Sequence, residues 1–349
     1  MIEIPVYVVI SILSGYLCYI FVPIVKRYCV DHELFDMPGP RKIHTEPIPR
    51  LGGVAMFFAY SLGLIPGFLL LPDLWQSNVK PLVGIYIGGL IIFILGVVDD
   101  IKGVRPITKL AWEIIACLVV IAFGVRLDVV NIPFYRLVEV GWWGIPLTLI
   151  WLVAITNTVN LIDGIDGLAT GVGAIIAISF LILSKIMALP LPSLLAAGII
   201  GVTIAFLKYN YFPASIFMGD SGSLFLGYIF AVISLFWPKS FATVVMFIPI
   251  LALGVPIIEV VTTFLRRLFT RQKIYIADQR HIFHILLDIG ISREVTVWIF
   301  YLVSIQFALI TFAITAGNRN NLFVLQFAFI ILTAIVISRY LKRGKAGGK

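Results

Sequence analysis

Eleven apolar runs of about 17–25 residues follow one another along this chain. They are centred near residues 14, 61, 90, 117, 152, 177, 199, 229, 252, 305 and 331. A helix of that length crosses about 30 Å of hydrocarbon, and inside lipid only a helix or a closed barrel satisfies every backbone polar group. The runs near 117 and 229 are short. Of the 349 residues 60% are hydrophobic and only 13% charged, against roughly a quarter charged in soluble domains. The sequence therefore predicts an all-α integral membrane protein, a polytopic bundle of about eleven transmembrane helices in a single domain over 1–349. The first run, residues 4–24, has no basic stretch before it and no small-residue cleavage site after it, so it reads as a transmembrane helix rather than a removable signal. Cys18, Cys29 and Cys117 have no ligand spacing and are expected as buried, unpaired thiols.

Basic residues set the orientation. With the N-terminus outside and the C-terminus inside, 20 of the 26 lysines and arginines fall on the inner side. Only Lys80, Arg126, Arg136, Lys185, Lys239 and Arg319 fall outside. The net charge of +8 then follows from topology, and nucleic-acid binding is not needed to explain it. The outer stretch "NIPFYRLVEVGWWG" reads as an interfacial hairpin.

Every polar motif lies on the predicted inner side, within about 27–53, 97–109, 157–171, 208–223 and 266–293. One decorated face suits an enzyme better than a transporter, which needs access from both sides and would show an internal repeat. In "DMPGPRKIHTEPIPRLGG" the prolines stiffen the chain, Lys42, His44 and Arg50 are spaced along it, and the N–H groups of Gly52 and Gly53 are expected to face an anion. In "VVDDIKGVRPITK" Asp99 and Asp100 end a helix, where acids oppose the macrodipole; Lys109 and Glu113 are four apart and expected to pair. In "NTVNLIDGIDGLATG" Asn157, Asn160, Asp163 and Asp166 recur every three residues, along one drifting helical face. In "KYNYFPASIFMGDSGS" Asp220 stands between Gly219 and Ser221 at the start of an apolar helix, where capping is the bland alternative to a site role, while Asn210 sits among aromatics fit for a nucleobase. His281 and His284 are three apart beside Arg280, a pattern better suited to phosphate than to zinc.

An acid in the membrane marks a functional site by default. Asp99, Asp100, Asp163, Asp166 and Asp220 all reach one membrane depth, and their repulsion calls for a cation. Hard oxygen ligands without thiolates point to Mg²⁺, with Mn²⁺ as substitute. Mg²⁺ together with basic side chains suits phosphoryl transfer, and a lipid acceptor explains why the enzyme lives in the membrane.

The ordered set "RKIHTEPIPRLGG", "VVDD", "NTVNLIDGIDGLATG", "FMGDSGSLFLG" and "HIFH" resembles the motifs of the polyprenyl-phosphate N-acetylhexosamine-1-phosphate transferases. The "PIPRLGG" segment resembles the GlcNAc branch rather than the phospho-MurNAc-pentapeptide transferases. The resemblance implies transfer of GlcNAc-1-phosphate from a UDP-sugar to undecaprenyl phosphate with release of UMP, at the cytoplasmic face of a bacterial inner membrane. It implies metal binding by Asp220 and Asn160, and acceptor activation by Asp99 and Asp100. It implies diphosphate binding by Lys109, donor contacts by Asp163 and Asp166, a uridine contact near Asn210, and roles for His281 and His284. Gly103 stands where some relatives carry a third acid, and Phe283 where many carry a middle histidine. The sequence leaves a homodimer open. A CDP-alcohol phosphatidyltransferase is excluded because "DGLATG" lacks that family's arginine and later acids.

The orientation is testable in a cysteine-free background. Lys80→Cys, Lys185→Cys and Arg319→Cys should react with a membrane-impermeant maleimide from outside. Lys102→Cys and Lys345→Cys should react only after permeabilisation. The reverse pattern overturns the charge argument.

Overall fold

The computed structural model describes residues 3–39, 46–131, 137–236, 254, 257 and 282–315. Its helices are α1 (Glu3–Asp31), α2 (Gly52–Gly63), α3 (Ile65–Leu70), α4 (Pro72–Lys102), α5 (Pro106–Ala122), α6 (Gly144–Leu161), α7 (Leu168–Ile186), α8 (Pro190–Asn210), α9 (Gly219–Leu235), α10 (Ile282–Asp288) and α11 (Arg293–Thr315). Among the described residues seven helical stretches are long and apolar enough to cross a membrane, α2 and α3 counting as one. The protein is an all-α, multi-pass membrane protein. Nine of the eleven predicted runs fall on these helices; those near 252 and 331 lie outside the described residues. Cys18, Cys29 and Cys117 are buried and free, as expected.

Proline opens α4, α5 and α8, where a missing N–H costs no helical hydrogen bond. Gly103, with φ +69°, closes α4. Two antiparallel ribbons lie outside the bundle. β1 (Phe35–Asp36) pairs with β2 (Ile48–Pro49), and β3 (Val129–Asn131) with β4 (Leu137–Glu139). The second is the expected hairpin, and the exposed Trp142 and Trp143 follow it as an aromatic belt would.

At the centre stands α9, which packs on α2, α4, α6, α7 and α8. A helix apolar all round belongs inside a bundle, and α9 is buried along its whole length but for Asp220. Close approach depends on glycine. A Cβ on Gly53 would overlap the backbone of Gly222, and one on Gly96 the backbone of Ser221. The N–H groups of Gly52 and Gly53 donate to the carbonyls of Phe217 (2.9 Å) and Met218 (2.8 Å). This corrects the expected anion site: these glycines dock the start of α2 against the approach to α9.

Gly53→Ala should therefore lower the thermal midpoint of the purified protein, by an overpacking cost of about 1–3 kcal/mol. Gly39→Ala, which meets nothing within 4 Å, should leave it unchanged.

Candidate active site at the ends of α4, α6 and α9

Helix ends concentrate unpaired backbone groups, and three of them meet here. The fully buried carboxylate of Asp100, on the last turn of α4, accepts from the N–H groups of Asp220 (2.8 Å) and Ser221 (3.0 Å) and from Ser221 Oγ (2.8 Å). The cap of α9 thus comes from another helix and not from Asp220. Gly219 must be glycine: its φ is +66° and a Cβ would overlap Asp100 and the Arg50 carbonyl.

Asp220 is released to face the site. Its carboxylate is met by Lys109, by Asn160 Nδ2 at 3.2 Å and by Arg50 at 3.6 Å. Lys109 also holds Asp99 Oδ2 at 3.2 Å, and the N–H of Val104 closes on the other oxygen of Asp99. One ammonium therefore bridges the acids of α4 and α9. This corrects the expected Lys109–Glu113 pair. Glu113 is 1% exposed and accepts from Asn157 Nδ2 instead, between α5 and α6.

Arg50 reaches three acids, at 3.0 Å from Asp100 and 3.6 Å from both Asp220 and Asp36. Burial opposes its charge, but Asp100, Asp220, Asp36 and Asp99 more than offset this and hold the guanidinium above its ordinary pKa. Ser221, Ser223, Asp36 and Tyr301 were not singled out from the sequence. Ser223 Oγ takes an amide hydrogen of Asn160 at 2.8 Å. The only sequence signal for the serines was their place beside Asp220 in "GDSGS".

The opening helical face does not continue. α6 ends at Leu161, so Asn157 and Asn160 are helical while Asp163 and Asp166 lie in the turns before α7. Asp166 Oδ2 accepts from Ala214 N at 2.9 Å. Among the described residues Asp163 has no cation in contact. Burial, followed by the nearby carboxylates of Asp220 and Asp100, raises its pKa well above the usual carboxylate range. Asn210 is 2% exposed, and its amide bonds protein on both sides: Thr170 Oγ1 (2.6 Å) and Gly167 N (3.2 Å) donate to it, and it donates to Ile216 O (3.1 Å). It shapes the loop rather than facing an open pocket. The neighbouring aromatics divide: Tyr209 turns to Tyr19 on α1, while Tyr211 lies on Gly167. Phe283 is buried against Gly164, with His284 beside it. Lys42, His44, Arg280 and His281 lie outside the described residues.

Among the described residues no three His, Cys, Asp or Glu side chains converge as a ready metal cage. The donor set still fits Mg²⁺, which takes one or two carboxylates and completes its shell with water and substrate phosphate. Asp220 offers the one carboxylate, with the Asn160 amide beside it. The Asn160 amide is oriented by hydrogen bonding to Asp220, and a half-turn would present its oxygen instead.

Carboxylates shared with lysine and arginine thus gather where the ends of α4, α6 and α9 meet. Residues 82–238 match glycosyl transferase family 4, and the chain belongs to this family. It is 36% identical over 342 residues to the probable undecaprenyl-phosphate N-acetylglucosaminyl 1-phosphate transferase of Bacillus subtilis (strain 168), covering 96% of this chain and 92% of that one. It is 32% identical to the decaprenyl-phosphate N-acetylglucosaminephosphotransferase of Mycobacterium tuberculosis (strain ATCC 25618 / H37Rv), over 76% of this chain and 72% of that one. It is 30% identical to the phospho-N-acetylmuramoyl-pentapeptide-transferase of Caldicellulosiruptor bescii, over 86% and 95%.

The two adjacent acids of α4 should separate on substitution. Asp100→Asn removes a buried charge from Arg50 and the α9 N-terminus, and should cost about 2–4 kcal/mol of stability. Asp99→Asn, nearer the surface, should leave the thermal midpoint within a few degrees while lowering turnover. Equal thermal losses would refute this division.

Proposed function

We propose that this protein transfers GlcNAc-1-phosphate from UDP-GlcNAc to undecaprenyl phosphate, releasing UMP and forming undecaprenyl-diphosphate-GlcNAc. The observation that carries this is the Lys109 bridge between Asp99 and Asp220, with Asn160 and Arg50 around it. The names of the relatives supply the substrates. The charge distribution supports a chain of eleven spans, N-terminus out and C-terminus in, in a bacterial inner membrane with the site facing the cytoplasm.

A phosphate monoester has a second pKa of about 6, so the acceptor is largely a dianion at neutral pH and a base has little to remove. The obstacle is two anions meeting. Lys109 and Arg50 are placed to draw phosphate oxygens away from the carboxylates they now hold, and their positive charge offsets the repulsion. Mg²⁺ held by Asp220 and Asn160 would supply charge neutralisation at the diphosphate. Asp163 and Asp166 bound the donor side. Full burial of Asp100 under the α9 cap argues against a covalent role for it, and direct attack by the lipid phosphate is the simpler route.

The test is release of UMP by purified protein given UDP-GlcNAc, undecaprenyl phosphate and Mg²⁺. Chelation should abolish release and Mg²⁺ or Mn²⁺ restore it. Asp220→Asn should lower turnover by at least about a hundredfold with the fold retained. Activity with UDP-MurNAc-pentapeptide but not UDP-GlcNAc would move the protein to the neighbouring branch. Failure with both donors would reject the reading.

A further inference from the structure

The loop over residues 162–167 carries Asp163 and Asp166 but belongs to no helix, so its position must be imposed from outside. One side is held by the end of α8 and the segment after it, through Asn210 and Ala214. The other side is held by α10 and α11. Tyr301 of α11 donates its hydroxyl to Gly167 O at 2.6 Å. The same phenol lies so close to Gly171 that a Cβ there would overlap it. Phe283 of α10, 2% exposed, rests its ring on Gly164, where a Cβ would stand 2.5 Å from Cζ. The ring of His284 is tilted against Phe283 with centroids 4.4 Å apart.

Two aromatic rings therefore fill the places of two missing side chains, at Gly164 and Gly171. A ring seated on a glycine leaves no room for a side chain there, and these two contacts tie α10 to the loop and α11 to the first turn of α7. The Tyr301 hydrogen bond fixes the rotation of the Gly167 peptide. Gly167 itself has φ +77°, a left-handed conformation that glycine adopts without steric cost.

We propose that α10 and α11 form a latch on the acid-bearing loop, with Phe283 and Tyr301 as positioning residues that set where Asp163 and Asp166 meet the nucleotide-diphosphate. The phenylalanine of "HIFH" is then the latch bolt, with the ring of His284 beside it. An imidazole at position 283 would bury polar nitrogens against the Gly164 backbone and weaken the interlock. The kinetic half of this proposal rests on the donor reading above; the structural half does not.

The test uses full-length protein in lipid nanodiscs and the variants Tyr301→Phe, Phe283→Leu and Gly164→Ala. Hydrogen–deuterium exchange needs no substrate. Each variant should speed exchange across residues 162–171, by roughly fivefold for the single hydrogen bond lost in Tyr301→Phe, with peptides of α4 and α9 unchanged. The KM for UDP-GlcNAc should rise by a similar factor. The kcat at saturating donor and the KM for undecaprenyl phosphate should stay within about twofold. Unchanged exchange over 162–171 in both Tyr301→Phe and Phe283→Leu overturns the latch. So does faster exchange throughout the chain, or a loosened loop with donor KM unaltered. A wild-type protein that protects residues 162–171 yet releases no UMP sinks the donor reading and leaves the latch standing on exchange alone.

Discussion

The carboxylate of Asp100 holds the first turn of α9 from the last turn of α4, and Arg50 closes over it from the start of α2. A buried charge is tolerable only when it is paired and hydrogen-bonded, and here three protein donors and a guanidinium meet both needs. The helix N-terminus contributes its partial positive charge as well. With this one group α2, α4 and α9 are registered at the membrane end, and glycine at positions 53, 96, 219 and 222 lets the three backbones come that close. Loss of any of these glycines would separate the acids before it touched the chemistry.

That register fixes the roles of the remaining acids. Asp100 is consumed by the scaffold, so Asp99 and Asp220 are left sharing Lys109. Two carboxylates this close repel each other unless a cation lies between them, and a lysine on a flexible stem is a removable one. On the proposed function, phosphate entering the site would compete for the same ammonium, and the protein would pass its cations from its own acids to substrate oxygens. Preorganised charge of this kind lowers a barrier made mostly of anion–anion repulsion.

Much of the site was legible from residue type and order. Asp220, Asn160, Asp99, Lys109 and Arg50 were all named from sequence, and the structure brings them together. The errors share one cause. Lys109 is four residues from Glu113, and helical spacing pairs them; across the bundle, Asp99 and Asp220 offer it a better partner. Gly52 and Gly53 look like an anion cradle until the carbonyls of Phe217 and Met218 are found on their N–H groups. Capping of its own helix by Asp220, the bland alternative to a site role, gives way to Asp100. Local spacing ranks local partners, and it cannot rank a partner more than a hundred residues away.

The sequence by itself determined the membrane class and the order of the helices among the described residues. Those properties follow from the length of apolar runs, which the bilayer reads without reference to tertiary contacts. Only the tertiary structure decided which aspartate is scaffold and which is site, because two adjacent residues on a helix turn about 100° apart and composition does not say which face meets α9. It also decided what Phe283 and Tyr301 do. A buried aromatic looks the same in any sequence until the glycine it fills is found elsewhere in the chain, and that pairing exists only once the chain has folded.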